Sequence, residues 1–257
     1  LKLKVKIQLM FRTVSSILFL LIMLPFLYGR VNISLWTYGG SVYILDGFEK
    51  IIRIFDTEMK EIKLVNLKNI SSAGSFDFFS VHDPYRSYLS DAVSGTIWQL
   101  DGKYEVKMIL DVKKTGRELS RAVFPFEYNS LIAASENRES VFLIRNSIFS
   151  EIIISDVPFT DIWSSGGIIY LLYKDCLRTY TAEGVFLSEM PLTKMYDMVR
   201  SSDSGIFLYS DGFVTYFNTS ARKTAEYRTG RIVDLCAASG RIFYIDEETG
   251  ELKSEDL

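Results

Sequence analysis

From residue 31 onward the apolar residues come in short unbroken runs, each closed by a Gly, Asn, Asp or Ser turn. Val42-Tyr-Ile-Leu45, Leu131-Ile-Ala-Ala134, Ile168–Leu172, Ile206–Tyr209 and Ile242–Ile245 are such runs. Segments this short, rich in β-branched and aromatic residues, read as strands. Companion runs follow at Ile51–Phe55, Thr96–Leu100, Val141–Ile144 and Phe213–Phe217. Lys60–Val65 and Glu105–Leu110 are more charged, as a strand with one edge in water is. No segment in this region keeps a 3.6-residue apolar period between helix caps, so helix is expected to be nearly absent.

The runs recur as a unit. Phe159-Thr-Asp-Ile-Trp-Ser-Ser-Gly-Gly-Ile-Ile-Tyr-Leu-Leu-Tyr173, Met195-Tyr-Asp-Met-Val-Arg-Ser-Ser-Asp-Ser-Gly-Ile-Phe-Leu-Tyr209 and Arg231-Ile-Val-Asp-Leu-Cys-Ala-Ala-Ser-Gly-Arg-Ile-Phe-Tyr-Ile245 are its clearest copies. Aligned on their third residue, six copies fall at Ser34, Asp77, Ala122, Asp161, Asp197 and Asp234, with spacings of 43, 45, 39, 36 and 37. A period of this size marks a repeat architecture. Inner strands that are apolar on both faces must be packed on both faces. The chain is therefore expected to be all-β: a six-bladed β-propeller of mostly four-stranded antiparallel blades. A two-sheet sandwich would not need six copies in register. The sixth unit supplies Val233–Ala237, Arg241–Ile245 and Glu251–Ser254 before the sequence given stops. The last blade is thus incomplete, or closed by an N-terminal strand for which Tyr28–Ile33 is the candidate.

Gly40-Ser-Val-Tyr-Ile-Leu-Asp46 and Gly240-Arg-Ile-Phe-Tyr-Ile-Asp246 resemble the Gly-x-apolar-Tyr-apolar-x-Asp strands of NHL and related six-bladed propellers. The resemblance spans residues 33–257 and implies architecture alone. The Pro-x-Gly opening and the Asp-x-x-Asn turn of typical NHL repeats are missing, so no functional residue carries over. Gly39-Gly40 and Gly166-Gly167 are similar to the glycine pairs of kelch repeats. Such families bind ligands at the wide end of the channel, which places a site near the starts of the inner strands.

Residues 1–29 read differently. Lys2, Lys4, Lys6 and Arg12 precede an apolar stretch from Val14 to Tyr28, broken by Pro25. A basic head and a short apolar run form an export signal. At about 15 residues the run is shorter than the ~20 of a membrane-spanning helix, which favours a cleaved signal peptide over an uncleaved membrane anchor. Met10 would give a tidier start than Leu1. The propeller domain is expected over residues 30–257. With the basic residues of the leader set aside, including Arg30, the rest is more acidic than the overall net charge of −3. That argues against nucleic acid as a partner. Cys176 and Cys236 fall in non-adjacent units and are expected as buried free thiols.

Asp77, Asp161, Asp197 and Asp234 start inner strands in this alignment. Converging on an axis, four carboxylates would hold a divalent cation or a basic ligand. Repetition in register favours a plainer role, each accepting a backbone N–H of the next blade. Trp36, Phe79, Phe124 and Trp163 align with one another. Trp36 and Trp163 could stack a sugar if they line the channel, while packing between blades accounts for all four. Asp46, Asp211 and Asp246 read as turn formers. His82, the chain's one histidine, lies beside the Asp83-Pro84 turn and is expected in an exposed loop. One imidazole excludes a His-rich zinc site, and any Ser-His-Asp triad would depend on it. No Gly-x-Ser-x-Gly occurs. Ser201-Ser-Asp203-Ser-Gly205 partly matches the Asp-box of sialidase-type propellers, with Leu208 where an aromatic is expected, and reads as an ordinary turn. Asn32, Asn69 and Asn218 head glycosylation sequons.

No catalytic constellation emerges. The sequence reads as an exported, monomeric propeller in the periplasm, cell envelope or outside the cell, binding a protein, glycan or small ligand and touching membrane only through its N-terminus. Two alternatives stay open: a metal-assisted hydrolase, lactonase or lyase using the axial aspartates, and a structural envelope subunit.

Overall fold

A computed structural model describes residues 32–71, 74–127 and 130–257. The leader read over residues 1–29, and the part of the candidate closing strand before Asn32, lie outside these. The apolar runs all form strands, and each group of three or four makes one up-and-down antiparallel sheet. Blade 1 holds β1 (Ile33–Tyr38), β2 (Ser41–Asp46), β3 (Ile51–Asp56) and β4 (Glu61–Asn66). Blade 2 holds β5 (Phe78–Asp83), β6 (Arg86–Asp91), β7 (Thr96–Asp101) and β8 (Val106–Asp111), followed by a single 3-10 turn at Lys113–Thr115. Blade 3 holds β9 (Leu119–Phe126), β10 (Ser130–Ser135), β11 (Ser140–Arg145) and β12 (Ile148–Ile154).

Blade 4 holds β13 (Asp161–Ser165), β14 (Ile168–Leu172), β15 (Cys176–Thr181) and β16 (Phe186–Pro191). Blade 5 holds β17 (Met198–Ser202), β18 (Gly205–Ser210), β19 (Phe213–Asn218) and β20 (Lys223–Arg228). Blade 6 has three strands among the described residues, β21 (Ile232–Ala238), β22 (Arg241–Asp246) and β23 (Leu252–Asp256). The inner strands touch in a closed cycle, β1 to β5, β9, β13, β17, β21 and back to β1. The chain is a six-bladed β-propeller.

Burial follows position in the blade. Inner strands such as β5 are buried over most of their length, whereas the outer strands β4, β8 and β16 are largely exposed. A blade is covered on both faces by its neighbours, so its inner strands are buried without alternation while its rim stays in water. Among the described residues no helix is long and apolar enough to cross a membrane.

The hairpins share a turn device. Asp56, Asp101 and Asn218 each accept two backbone N–H groups of the turn that follows, from Glu58 and Lys60, Lys103 and Glu105, and Ser220 and Arg222. Thr181 Oγ1 takes the same place, accepting from Glu183 and Val185. Asp46 and Asp246 act likewise, accepting from Glu49 and from Glu248 and Thr249. These short acceptors replace the ladder where the chain reverses. Asp211 sits in the β18–β19 turn with φ of 50°. Cys176 and Cys236 are free and buried.

Candidate functional site

Strand pairing fixes which residues are equivalent around the ring. Trp36 pairs with Tyr43, Ser80 with Tyr88, Phe124 with Ile132, Trp163 with Tyr170, Arg200 with Phe207 and Cys236 with Phe243. These six residues occupy one level of the inner strands. Where blade 2 has the small Ser80, Phe78 fills the space from two residues earlier on the same strand face. Phe79, aligned with the tryptophans in the sequence, belongs one residue off and packs on Tyr43 and Tyr104.

These side chains close the channel. Trp36 and Trp163 come from blades on opposite sides of a ring of six, yet their rings lie 5.1 Å apart between centroids. Phe78 and Phe124 complete the cluster, at 5.4 Å from each other and with Phe124 5.4 Å from Trp163. None of the four is more than 9% exposed. Arg200 caps the plug, its guanidinium 4.5 Å from the Trp163 ring, a desolvated cation–π contact.

Arg200 also gathers two of the four aspartates. Its Nη1 donates to Asp161 Oδ2 at 2.8 Å, and its Nε and Nη2 donate to Asp234 Oδ1 at 3.0 and 2.5 Å. Burial works against the charge on Arg200, but the carboxylates of Asp234 and Asp161 outweigh it and hold its proton more firmly than usual. The two carboxylates lock blades as well. Asp161 Oδ2 accepts the Val199 N–H and Asp234 Oδ2 the Leu35 N–H, each at 2.9 Å, and Ser34 Oγ accepts the Phe79 N–H at 3.2 Å. Asp234 joins the last blade to the first.

Asp77 and Asp197 do not join them. Each lies one residue earlier than its supposed equivalent, since Phe78 and Met198 pair where Ser34 and Asp161 pair. One residue turns a strand side chain to the other face. Asp77 Oδ2 accepts the Ala92 N–H of its own blade, and Asp197 is exposed. Among the described residues no group of three or more His, Cys, Asp or Glu side chains is placed to hold a metal ion.

His82 lies at a register break near the end of β5 and is half-buried rather than loop-exposed. Burial, then the neighbouring Arg86, lower its pKa below the ordinary histidine value, against the pull of Asp83. Burial, then Asp234, raise the Cys236 thiol well above its usual pKa. Neither group resembles an activated nucleophile or base pair.

The open space near the axis lies at the other mouth, where inner strands end. A cup of about 710 Å3 is bounded by the β1–β2, β13–β14, β17–β18 and β21–β22 hairpin turns. Its walls present Thr37, Ser165, Ser202, Asp203, Ser204 and Ser239. Gly39 and Gly40, like Gly166 and Gly167, both have positive φ, the geometry of two-residue turns that suit twisted hairpins. Ser239 and Gly240 repeat it. The Asp-box-like Ser201–Gly205 segment is thus the β17–β18 turn, with Ser202 and Ser204 hydroxyls 2.7 Å apart. Such a wall can exchange hydrogen bonds with a polar ligand, and it lacks a histidine among the described residues. A second cavity, about 810 Å3, lies outward between blades 2 and 3. There the Glu118 and Glu136 carboxyls share a hydrogen bond that raises the Glu136 pKa. Long exposed side chains border it.

No family model matches the chain, and no curated protein matches it in sequence. Solved structures match in shape. A streptogramin B lyase superposes with a TM-score of 0.59 at 10% identity, covering 89% of this chain and 84% of that one. Virginiamycin B lyase from Staphylococcus aureus gives 0.58 at 9% identity, covering 90% and 86%. PorZ, a bacterial surface component of the type-IX secretion system of Porphyromonas gingivalis, gives 0.54 at 12% identity over 89% of this chain. The chain spans 38% of the PorZ structure. At these identities the likeness shows the propeller fold, in keeping with the NHL-like resemblance.

Proposed function

We propose that this chain is an exported binding module whose hairpin-turn cup takes a polar partner, a glycan or a hydroxyl-rich loop of a protein. One observation carries the reading: above a channel sealed by aromatic rings, four blades present hydroxyls, turn amides and the Asp203 carboxylate around one cavity. Hydrogen-bonding groups on loops held by a rigid ring suit recognition rather than bond chemistry. Export rests on the basic head and apolar run of residues 1–29. The lyase names of two structural neighbours describe those proteins.

The opposite mouth, with Asp77 and Asp197, is the competing face. Glycan and peptide arrays probed with the chain, followed by titration of any hit, separate the two. Ser165→Tyr fills the cup with a side chain that blade 1 already carries at the equivalent Tyr38, and is expected to weaken binding at least tenfold. Asp197→Asn is expected to leave it unchanged. Loss with Asp197→Asn and retention with Ser165→Tyr would move the site to the aspartate end. Absence of binding to both arrays would count against a binding module.

A further inference from the structure

One level beyond the plug the inner strands carry Tyr38, Phe126, Ser165, Ser202 and Ala238, each two residues past its plug residue on the same strand face. Blade 2 breaks register at this level. The small residues fall on the consecutive blades 4, 5 and 6, and the cup opens over them. Aromatic rings flank it. Tyr38 of blade 1 borders the cup and packs against the central core. Phe126 of blade 3 reaches the Gly167 turn of blade 4, where an added Cβ would sit 3.9 Å from its ring. The cavity is thus aromatic at its blade 1 wall and hydroxyl-lined around blades 4 and 5.

Two polar groups at the base of those blades are left short of partners. Ser201 lines the cup yet is 8% exposed, and its Oγ lies beside the Tyr170 phenol without a hydrogen bond of good geometry. Trp163 Nε1, one level below Ser165, donates to nothing among the described residues, whereas Trp36 Nε1 donates to the Val81 C=O. Buried polar groups are normally paired, so donors left open beside a cavity mark where a ligand oxygen fits. Charge narrows the choice further. Among the described residues Asp203 is the one charged side chain bordering the cup. Arg241, next to Gly240, is engaged with the Thr57 C=O, and Arg200 below is offset by its two carboxylates.

We infer that the cup receives the end of a neutral glycan, with one sugar face against Tyr38 and its hydroxyls among Ser165, Ser201 and Ser202. The inference rests on the cup being the binding face. A pyranose ring is divided in the same way, with an apolar C–H face and a rim of hydroxyls, and a tyrosine ring suits the apolar face. A hydroxyl-rich protein loop brings the hydroxyls without a flat apolar face. Uronic and sialic acids are turned away, because their carboxylates meet Asp203 with no cation to offset it.

Calorimetric titration of the full chain with neutral trisaccharides of glucose, mannose, galactose and N-acetylglucosamine, and with a uronic-acid trisaccharide, tests this. At least one neutral trisaccharide is expected to bind and the uronic one to fail. Tyr38→Ala is expected to weaken binding about fivefold, and Tyr38→Phe to leave it near wild type. Ser201→Ala is expected to weaken it about threefold at an unchanged melting temperature, since the free protein loses no good hydrogen bond there. Asp203→Lys is expected to admit the uronic trisaccharide. Failure of every neutral trisaccharide, equal binding of the uronic one by wild type, or binding indifferent to both Tyr38→Ala and Ser201→Ala would overturn the inference. Asp203→Lys that still refuses the uronic trisaccharide would overturn the charge selection. A chain that binds an array peptide in a manner lost with Ser165→Tyr, but no trisaccharide, would sink the sugar and keep the cup; one that binds neither would sink both.

Discussion

Arg200 stands where other blades carry Trp36, Phe124 and Trp163. A guanidinium 4% exposed survives there because Asp161 and Asp234 face it from the blades on either side. Asp234, 2% exposed, is satisfied in turn by Arg200 and by the Leu35 and Leu235 N–H groups. Removing the cation would leave the Asp234 carboxylate buried without its charge partner, beside the partly exposed Asp161, and breaking a buried pair this way costs about 3–5 kcal/mol. Arg200→Met is expected to lose that much in urea unfolding, and a loss below about 1 kcal/mol would show that water already reaches the carboxylates. Lysine is not a substitute, since one ammonium cannot reproduce the forked contacts to two acids. In the sequence, Arg200 follows Met198-Val199 and precedes Ser201-Ser202, and no local pattern set it apart as a buried charge. Its partners could not be read, because they lie 39 and 34 residues away.

At the level of strands, the runs and their order were legible, since burial on both faces leaves a direct imprint on composition. Register was legible in part. Ser34, Ala122, Asp161 and Asp234 align in the structure as they do in the sequence, whereas Asp77 and Asp197 slip by one residue. Asp-x-apolar recurs in both, and composition cannot tell position n from n−1 where both flanks are apolar. The acceptors at Asp56, Asp101, Thr181 and Asn218 were a periodic signal at the ends of third strands that a search for inner-strand motifs passes over. Gly205 marks a tight local fit: its φ is 150°, and a Cβ there would sit 2.1 Å from the Phe217 carbonyl oxygen. Gly205→Ala is expected to force the β18–β19 ladder apart and lower the melting temperature by several degrees, a loss of at least ~1–3 kcal/mol for strain of this kind. Thermal unfolding that matches wild type would show that the hairpin shifts freely.

Across the whole ring, the repeat foretold the blades but not what fills the axis. Trp36 and Trp163 are 127 residues apart, and that they meet depends on ring closure, which no local pattern encodes. With the channel sealed, a ligand of the proposed binding module would have to meet the faces of the ring. Acrylamide quenching of tryptophan fluorescence tests the seal most directly, because Trp36, Trp98 and Trp163 are the chain's three tryptophans and all are buried. With Trp98→Phe to isolate the axial pair, the account predicts blue-shifted emission and quenching far weaker than for free tryptophan in water. Quenching close to that of free tryptophan would mean that the channel is open to small molecules and would contradict the plugged ring.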